Sequence, residues 1–176
     1  MRIALVGKKA SGKTLVAAYL KKQYRFKLKR LRDGTERILR ILYDYEPYAH
    51  VSWEQEIYIY DALYKIDNNI WIGYLERRLK KSNSEHIVID DVRYINEVNK
   101  LRELGFTIVR VTSPDEDRHR RIGKGLARAL QGSVILTEYF DRDNTEAYVA
   151  DYTINATRDR LATKHSVDIL VEKLDK

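Results

Sequence analysis

At 176 residues, with 44% hydrophobic and 34% charged, the chain has the size and balance of one globular domain rather than a disordered tract. It has no cysteine, which excludes a disulfide framework, a thiolate metal site and a cysteine nucleophile together. The net charge of +7 is uneven: residues 1–50 hold 13 Lys and Arg against 4 Asp and Glu, and the remainder holds 20 against 22. A basic front half fits a site for several phosphates, a nucleic-acid surface or a solvated face. The histidines His50, His86, His119 and His165 are too scattered to pair as metal ligands. With no leader-like segment and no apolar run of membrane length, the expected location is cytoplasmic and no membrane partner is expected.

The first element is a buried strand, Arg2-Ile3-Ala4-Leu5-Val6. Directly after it comes Gly7-Lys8-Lys9-Ala10-Ser11-Gly12-Lys13-Thr14, the G-x-x-x-x-G-K-T phosphate loop. Leu15, Val16, Tyr19 and Leu20 then recur at helical spacing. Strand, glycine loop and helix N-terminus form an anion cradle of backbone N–H groups. Residues 7–14 are therefore the expected ATP site, with Lys13 reaching the outer phosphates and Thr14 offering its hydroxyl to Mg²⁺.

Residues 25–31 alternate apolar and basic side chains and predict a half-exposed second strand. Asp33-Gly34 reads as a turn, with Thr35 capping a helix that carries Ile38, Leu39 and Leu42 alongside Arg37 and Arg40. The tyrosine-dense stretch to residue 66 is broken by Pro47, and Ser52 with Gln55 predicts a capping box for a helix to about Leu63. Its tyrosines suit core packing first and base stacking second. Ile70, Trp71, Tyr74, Leu75 and Leu79 predict an amphipathic helix over 68–81.

The strand 86–91 ends in Asp90 and Asp91, with Arg93 two residues on. Carboxylates at the carboxyl end of a buried strand beside a phosphate loop are candidate Mg²⁺ ligands, direct or through water. Helix 95–104, closed at Gly105, and strand 107–112 follow. Ser113-Pro114-Asp115-Glu116 then reads as a helix start with Ser as cap and Pro at the first position. Arg118, Arg120 and Arg121 sit within one turn of that helix, next to Gly123-Lys124-Gly125. The pattern suits a lid that closes over transferring phosphates, as well as a set of solvated, paired arginines. A short strand at 152–155 and a helix carrying Val167, Leu170, Val171 and Leu174 complete the chain.

The alternation predicts an α/β fold, a five-stranded parallel sheet with helices on both faces; the resemblance of the glycine loop to P-loop NTPases implies their three-layer architecture with strand order 2-3-1-4-5. One domain is expected over 1–176, with an acceptor-binding insertion at about 33–66 and a lid at about 114–145. The Asn-Lys-x-Asp motif of a regulatory GTPase is not matched by Asn99-Lys100-Leu101-Arg102, and no Asp-x-x-Gly switch occurs.

The glycine loop, Asp67-Asn68-Asn69-Ile70-Trp71, and Asp90-Asp91-Val92-Arg93-Tyr94-Ile95-Asn96-Glu97 together resemble the deoxynucleoside monophosphate kinases of phages and their relatives. The resemblance covers residues 1–14 and about 67–114, with an echo at 151–155. It departs at Thr14, where the family reads Asp-Thr after the lysine, and at Ile95, where it has proline. Dephospho-coenzyme A kinases and phosphomevalonate kinases share parts of the pattern. Archaeal adenylate-kinase-like proteins do too, including a segment like Arg142-Asp143 to Glu146. The resemblance implies transfer from ATP–Mg²⁺ to a nucleoside or deoxynucleoside monophosphate. Lys13, Asp91, Arg93, Arg118 and Arg121 would be catalytic, Arg37 and Arg93 would bind the acceptor, and Thr14 and Asp90 would hold the metal. The alternatives are a kinase for another phosphorylated small molecule and a nucleic-acid-dependent ATPase. A homodimer through the tyrosine-rich insert is an open expectation.

Overall fold

The computed structural model describes residues 1–43, 53–129 and 149–175. Pro47, the Ser52 cap, the lid beyond residue 129 and the 142–146 segment lie outside the described residues. Two compact units are present, Met1–Leu28 with Ser84–Lys176, and Lys29–Asn83. The second takes in more than the stretch 33–66.

The first unit is built on a parallel sheet. Its strands are β1 (Arg2–Val6), β2 (Lys27–Lys29), β3 (Ile87–Ile89), β4 (Thr107–Thr112) and β5 (Tyr152–Asn155), in the order β2-β3-β1-β4-β5. That is the expected architecture and strand order. β1 pairs with β3 (Ala4 opposite Ile89) and with β4 (Val6 opposite Arg110). The side-chain period of two divides β1 between the faces. Ile3 and Leu5 join Val88, Val109, Val111 and Ile154 beneath α1 (Lys13–Tyr24) and the closing helix, which we number α7 (Arg160–Leu174). Val16, Ala17, Leu20, Val167, Leu170 and Val171 supply the helical side of that core. Ala4 and Val6 are buried on the other face. α5 (Ile95–Glu103) packs on β4 and buries Val98 and Leu101. Each aliphatic side chain withdrawn from water in this way contributes about 1.5–3 kcal/mol before chain entropy is charged.

Several boundaries shift for local reasons. β2 is shorter than 25–31 because Arg25, at φ 57°, closes α1 as its left-handed C-cap. At the far end of β2, the Arg30 N–H is taken by Asp33 Oδ2 at 3.2 Å. β3 stops at Ile89, so Asp90 and Asp91 lie just beyond it. α6 (Asp115–Ala129) runs through Gly123 and Gly125, which are helical rather than a break. Its first bonds go to the Pro114 carbonyl, from Asp117 at 3.0 Å and Arg118 at 3.1 Å, so Ser113 does not cap it.

In the second unit, α2 spans Asp33–Leu42, α3 Trp53–Ile66 and α4 Ile70–Lys80. Asp33-Gly34 is the first turn of α2 and not a turn before it, and Thr35 lies buried inside the helix. The glycine answers to packing: a Cβ there would lie 2.7 Å from the Trp71 ring. Trp71 stacks on Tyr60 (centroids 4.9 Å apart) and donates its indole N–H to the Tyr60 carbonyl at 3.1 Å. That tyrosine is a packing residue, as the composition of the stretch suggested.

Candidate nucleotide site

The sheet order places the loop after β1 and the segment after β3 on one carboxyl edge, beside the point where the strand order reverses. Continuing the β1–β3 register past Ala4 and Ile89 sets Asp90 and Asp91 level with Leu5 and Val6. Asp90 is buried. Among the described residues, no three acidic or histidine side chains gather as a metal-ligand set.

The glycine loop is held close to the sheet. Gly7, at φ 142°, lies so near β4 that a Cβ would be 2.2 Å from the Val111 carbonyl oxygen. Gly12, at φ 110°, is the left-handed cap of α1, and a Cβ there would fall 2.8 Å from Ala156 Cβ. Between them, Ala10 holds φ 60°. Lys13 Nζ turns back onto the loop and donates to the carbonyls of Gly7 and Lys8, the latter at 3.2 Å. Thr14 is exposed in the first turn of α1. Ser11 is 1% exposed, and its Oγ has no hydrogen-bond partner among the described residues. That hydroxyl is packed beneath the loop, against Gly7, rather than in the cleft.

α6 meets the loop directly. Arg118 Nε donates to the Lys9 carbonyl at 3.0 Å, and Arg121 Nη1 donates to the Ala10 carbonyl at 2.8 Å. Ser113 Oγ, expected as a helix cap, lies 3.1 Å from Arg121 Nη1. Arg120 and Arg121 also line a cleft of about 480 Å³ with Gly12, Lys13, Thr14 and Arg158.

The pairing of this helix's arginines with Asp115 and Asp117, one of the two expectations for it, is present, and a pair that the sequence did not announce, Arg158 with Asp117, joins it. Asp117, almost fully buried, accepts from Arg158 Nε at 2.5 Å and from Arg120 Nη2 at 3.3 Å. The Arg158 hydrogen bond holds the Asp117 carboxyl below its usual range, and Asp117 in turn raises the Arg158 guanidinium. Asp115 is lowered in the same way by the hydrogen bond from Arg118. Positions 117 and 158 carry no local signal of this contact, being far apart in sequence. The other missed residue is Glu97, 1% exposed, whose Oε2 accepts the N–H of Arg93 at 2.8 Å and of Tyr94 at 3.0 Å. It is the third helical residue of α5, where a glutamate reaches back to the cap amide, but the cap is Tyr94 and not the Ser or Thr that marks a capping box in sequence. Arg93 is half-buried with its backbone anchored in this way. Arg37 belongs to the second unit, where it is exposed in a shallow depression with Asp33, Glu36, Arg40, Tyr74 and Arg78.

A glycine loop between the first strand and first helix, at the carboxyl edge of a parallel 2-3-1-4-5 sheet, defines the fold of the P-loop kinases. The AAA domain family model matches residues 3–127, and the chain belongs to that family. Solved structures share the fold at low identity. Shikimate kinase from Acinetobacter baumannii, in complex with shikimate, is 19% identical with a TM-score of 0.61, over 99% of this chain and 93% of that one. TT1252 from Thermus thermophilus is 18% identical with a TM-score of 0.58, over 99% and 97%. A gluconokinase from Sinorhizobium meliloti 1021 is 16% identical with a TM-score of 0.53, over 98% and 94%. No curated protein matches the chain by sequence. Among the described residues, no helix is long and apolar enough to cross a membrane.

Proposed function

We propose that the protein is an ATP-dependent phosphotransferase acting on a nucleoside or deoxynucleoside monophosphate. The observation that carries the reading is the glycine loop, pressed against the sheet at Gly7 and Gly12 and with Lys13 and Thr14 at its helical end. ATP–Mg²⁺, when bound, supplies the phosphoryl group and the ion that offsets its charge. Thr14 would hold that ion with help from Asp90, a sparse donor set that suits Mg²⁺, which keeps several waters and phosphate oxygens as ligands. Lys13 would leave two neutral carbonyls for charged phosphate oxygens, a stronger hydrogen-bond partner. Asp91 and Arg93 would face the acceptor from the end of β3, with Arg37 as a further acceptor contact. Arg118 and Arg121 keep guanidinium charge beside the loop. Alignment and charge neutralisation suffice for phosphoryl transfer, so no covalent nucleophile is required of the protein.

The acceptor assignment rests on the Asp90–Glu97 segment. A second reading, transfer to the hydroxyl of a small carboxylic acid, is favoured by the likeness to a shikimate kinase and a gluconokinase. One assay separates them. The protein is incubated with ATP–Mg²⁺ and each of a panel of nucleoside and deoxynucleoside monophosphates, shikimate, gluconate, dephospho-coenzyme A and phosphomevalonate, and the phosphorylated acceptor is sought by mass. A nucleoside diphosphate product is expected. Transfer only to a hydroxy acid would install the second reading. Hydrolysis stimulated by DNA or RNA with no transfer would remove both.

A further inference from the structure

We infer that Arg118 and Arg121 are positioning residues that grip the backbone of the glycine loop from α6 and set its shape before any nucleotide arrives. The inference rests on the nucleotide-binding reading of the loop, and it differs from a lid role, in which the same arginines would act on the moving phosphoryl group.

Four successive loop carbonyls each meet a cationic donor. Lys13 takes those of Gly7 and Lys8, Arg118 that of Lys9, and Arg121 that of Ala10. In a planar trans peptide the carbonyl and the following N–H point in opposite directions. Holding the Lys9 and Ala10 carbonyls toward α6 therefore fixes the direction of the Ala10 N–H and supports the turn that the Ser11 N–H closes onto the Lys8 carbonyl at 3.1 Å. The loop needs such a hold, because Ala10 sits at φ 60°, a left-handed conformation that an L-residue keeps only when its surroundings impose it.

The arginines are themselves braced. Arg118 has a side chain only 13% exposed and is paired with Asp115. Arg121 makes further contacts to Ser113 Oγ at 3.1 Å and the Ala156 carbonyl at 3.4 Å. The three cations thus divide the work. Lys13 must release its carbonyls to reach a polyphosphate, whereas the carbonyls held by the arginines face away from the amides they orient. A displacement of α6 would then alter the anion site through two hydrogen bonds, without touching the ligand.

The test uses Arg118→Ala and Arg121→Ala, with Arg118→Lys and Arg121→Lys as milder variants should an alanine protein fail to fold. Amide hydrogen exchange is followed in the unliganded protein. Binding of ATP–Mg²⁺ and of inorganic tripolyphosphate is measured by calorimetry, and kcat separately. The expected result is faster exchange at residues 9–11 with β1 and β4 unchanged. Tripolyphosphate and ATP should both bind about tenfold more weakly, a loss of about 1.4 kcal/mol, with partial recovery in the lysine variants. Unchanged loop exchange, or full ATP affinity with only kcat reduced, would overturn the inference. If the unaltered protein binds neither ligand, the nucleotide reading fails, and the exchange measurement still decides whether the arginines hold the loop.

Discussion

The glycine loop and the depression in the second unit both gather arginines, and they use them differently. Around the loop, Arg118 and Arg121 each donate to a neutral backbone carbonyl; Arg118 is also paired with Asp115, while Arg121 bonds the neutral oxygens of Ala10, Ser113 and Ala156. In the depression, Arg40 is paired with Glu36 and Arg78 with Asp33, each at 2.6 Å, so most of the positive charge is spent on carboxylates of the same unit. A count of arginines would rank the two regions together. What separates them is that the loop arginines also place donors on backbone carbonyls, which take up hydrogen bonds without cancelling charge.

The largest effect should come from Lys13→Ala, which removes the ammonium group at the helical end of the glycine loop. Transfer is expected to fall by about a thousandfold with an unchanged circular dichroism spectrum; a loss under tenfold would put the chemistry elsewhere. Gly7→Ala should come next. Its Cβ would collide with the Val111 carbonyl at 2.2 Å, and strain of this kind costs about 3 kcal/mol, read as a midpoint shift in urea. Arg93→Ala should raise the acceptor KM by about tenfold while leaving ATP affinity intact, and an unaltered KM would remove Arg93 from the acceptor site.

A smaller, pH-dependent effect attaches to Asp117. Its carboxyl is depressed by Arg158 in the folded protein, so its contribution is complete above the ordinary carboxylate range and disappears as pH falls through the lowered folded value. The Tm advantage of the native protein over Asp117→Asn should therefore shrink steadily in acid, and a constant gap from pH 7 to pH 3 would contradict the pairing. Least of all, Arg40→Ala breaks an exposed i,i+4 pair with Glu36 and should change stability by no more than about 0.5 kcal/mol. A large loss there would erase the contrast between the two regions.

What the sequence made legible was local. The eight loop residues, the apolar run before them and the helical spacing after them prescribe strand, cradle and helix within one stretch of chain; alternation gave the parallel sheet, and the resemblance to P-loop kinases its strand order. Thr35 was misplaced because a threonine after Asp-Gly satisfies the capping rules equally well one turn earlier, and only the Trp71 ring against Gly34 decides the start of α2. The pairing of Arg158 with Asp117 and the grip of Arg118 and Arg121 on loop carbonyls depend on contacts between segments distant in sequence. A backbone carbonyl carries no residue identity at all, so no reading of side-chain types could name Lys9 or Ala10 as the partner.

Gly123 gives α6 a property that geometry does not demand. It lies exposed within the helix, and apart from its own helical backbone and chain neighbours no described atom comes within 4 Å of where a Cβ would sit. Alanine would be accommodated there and would firm the helix by about 1 kcal/mol. The element that braces the loop is thus softer than its surroundings require, and one added methyl group would tune its rigidity while leaving every atom of the cleft as it is.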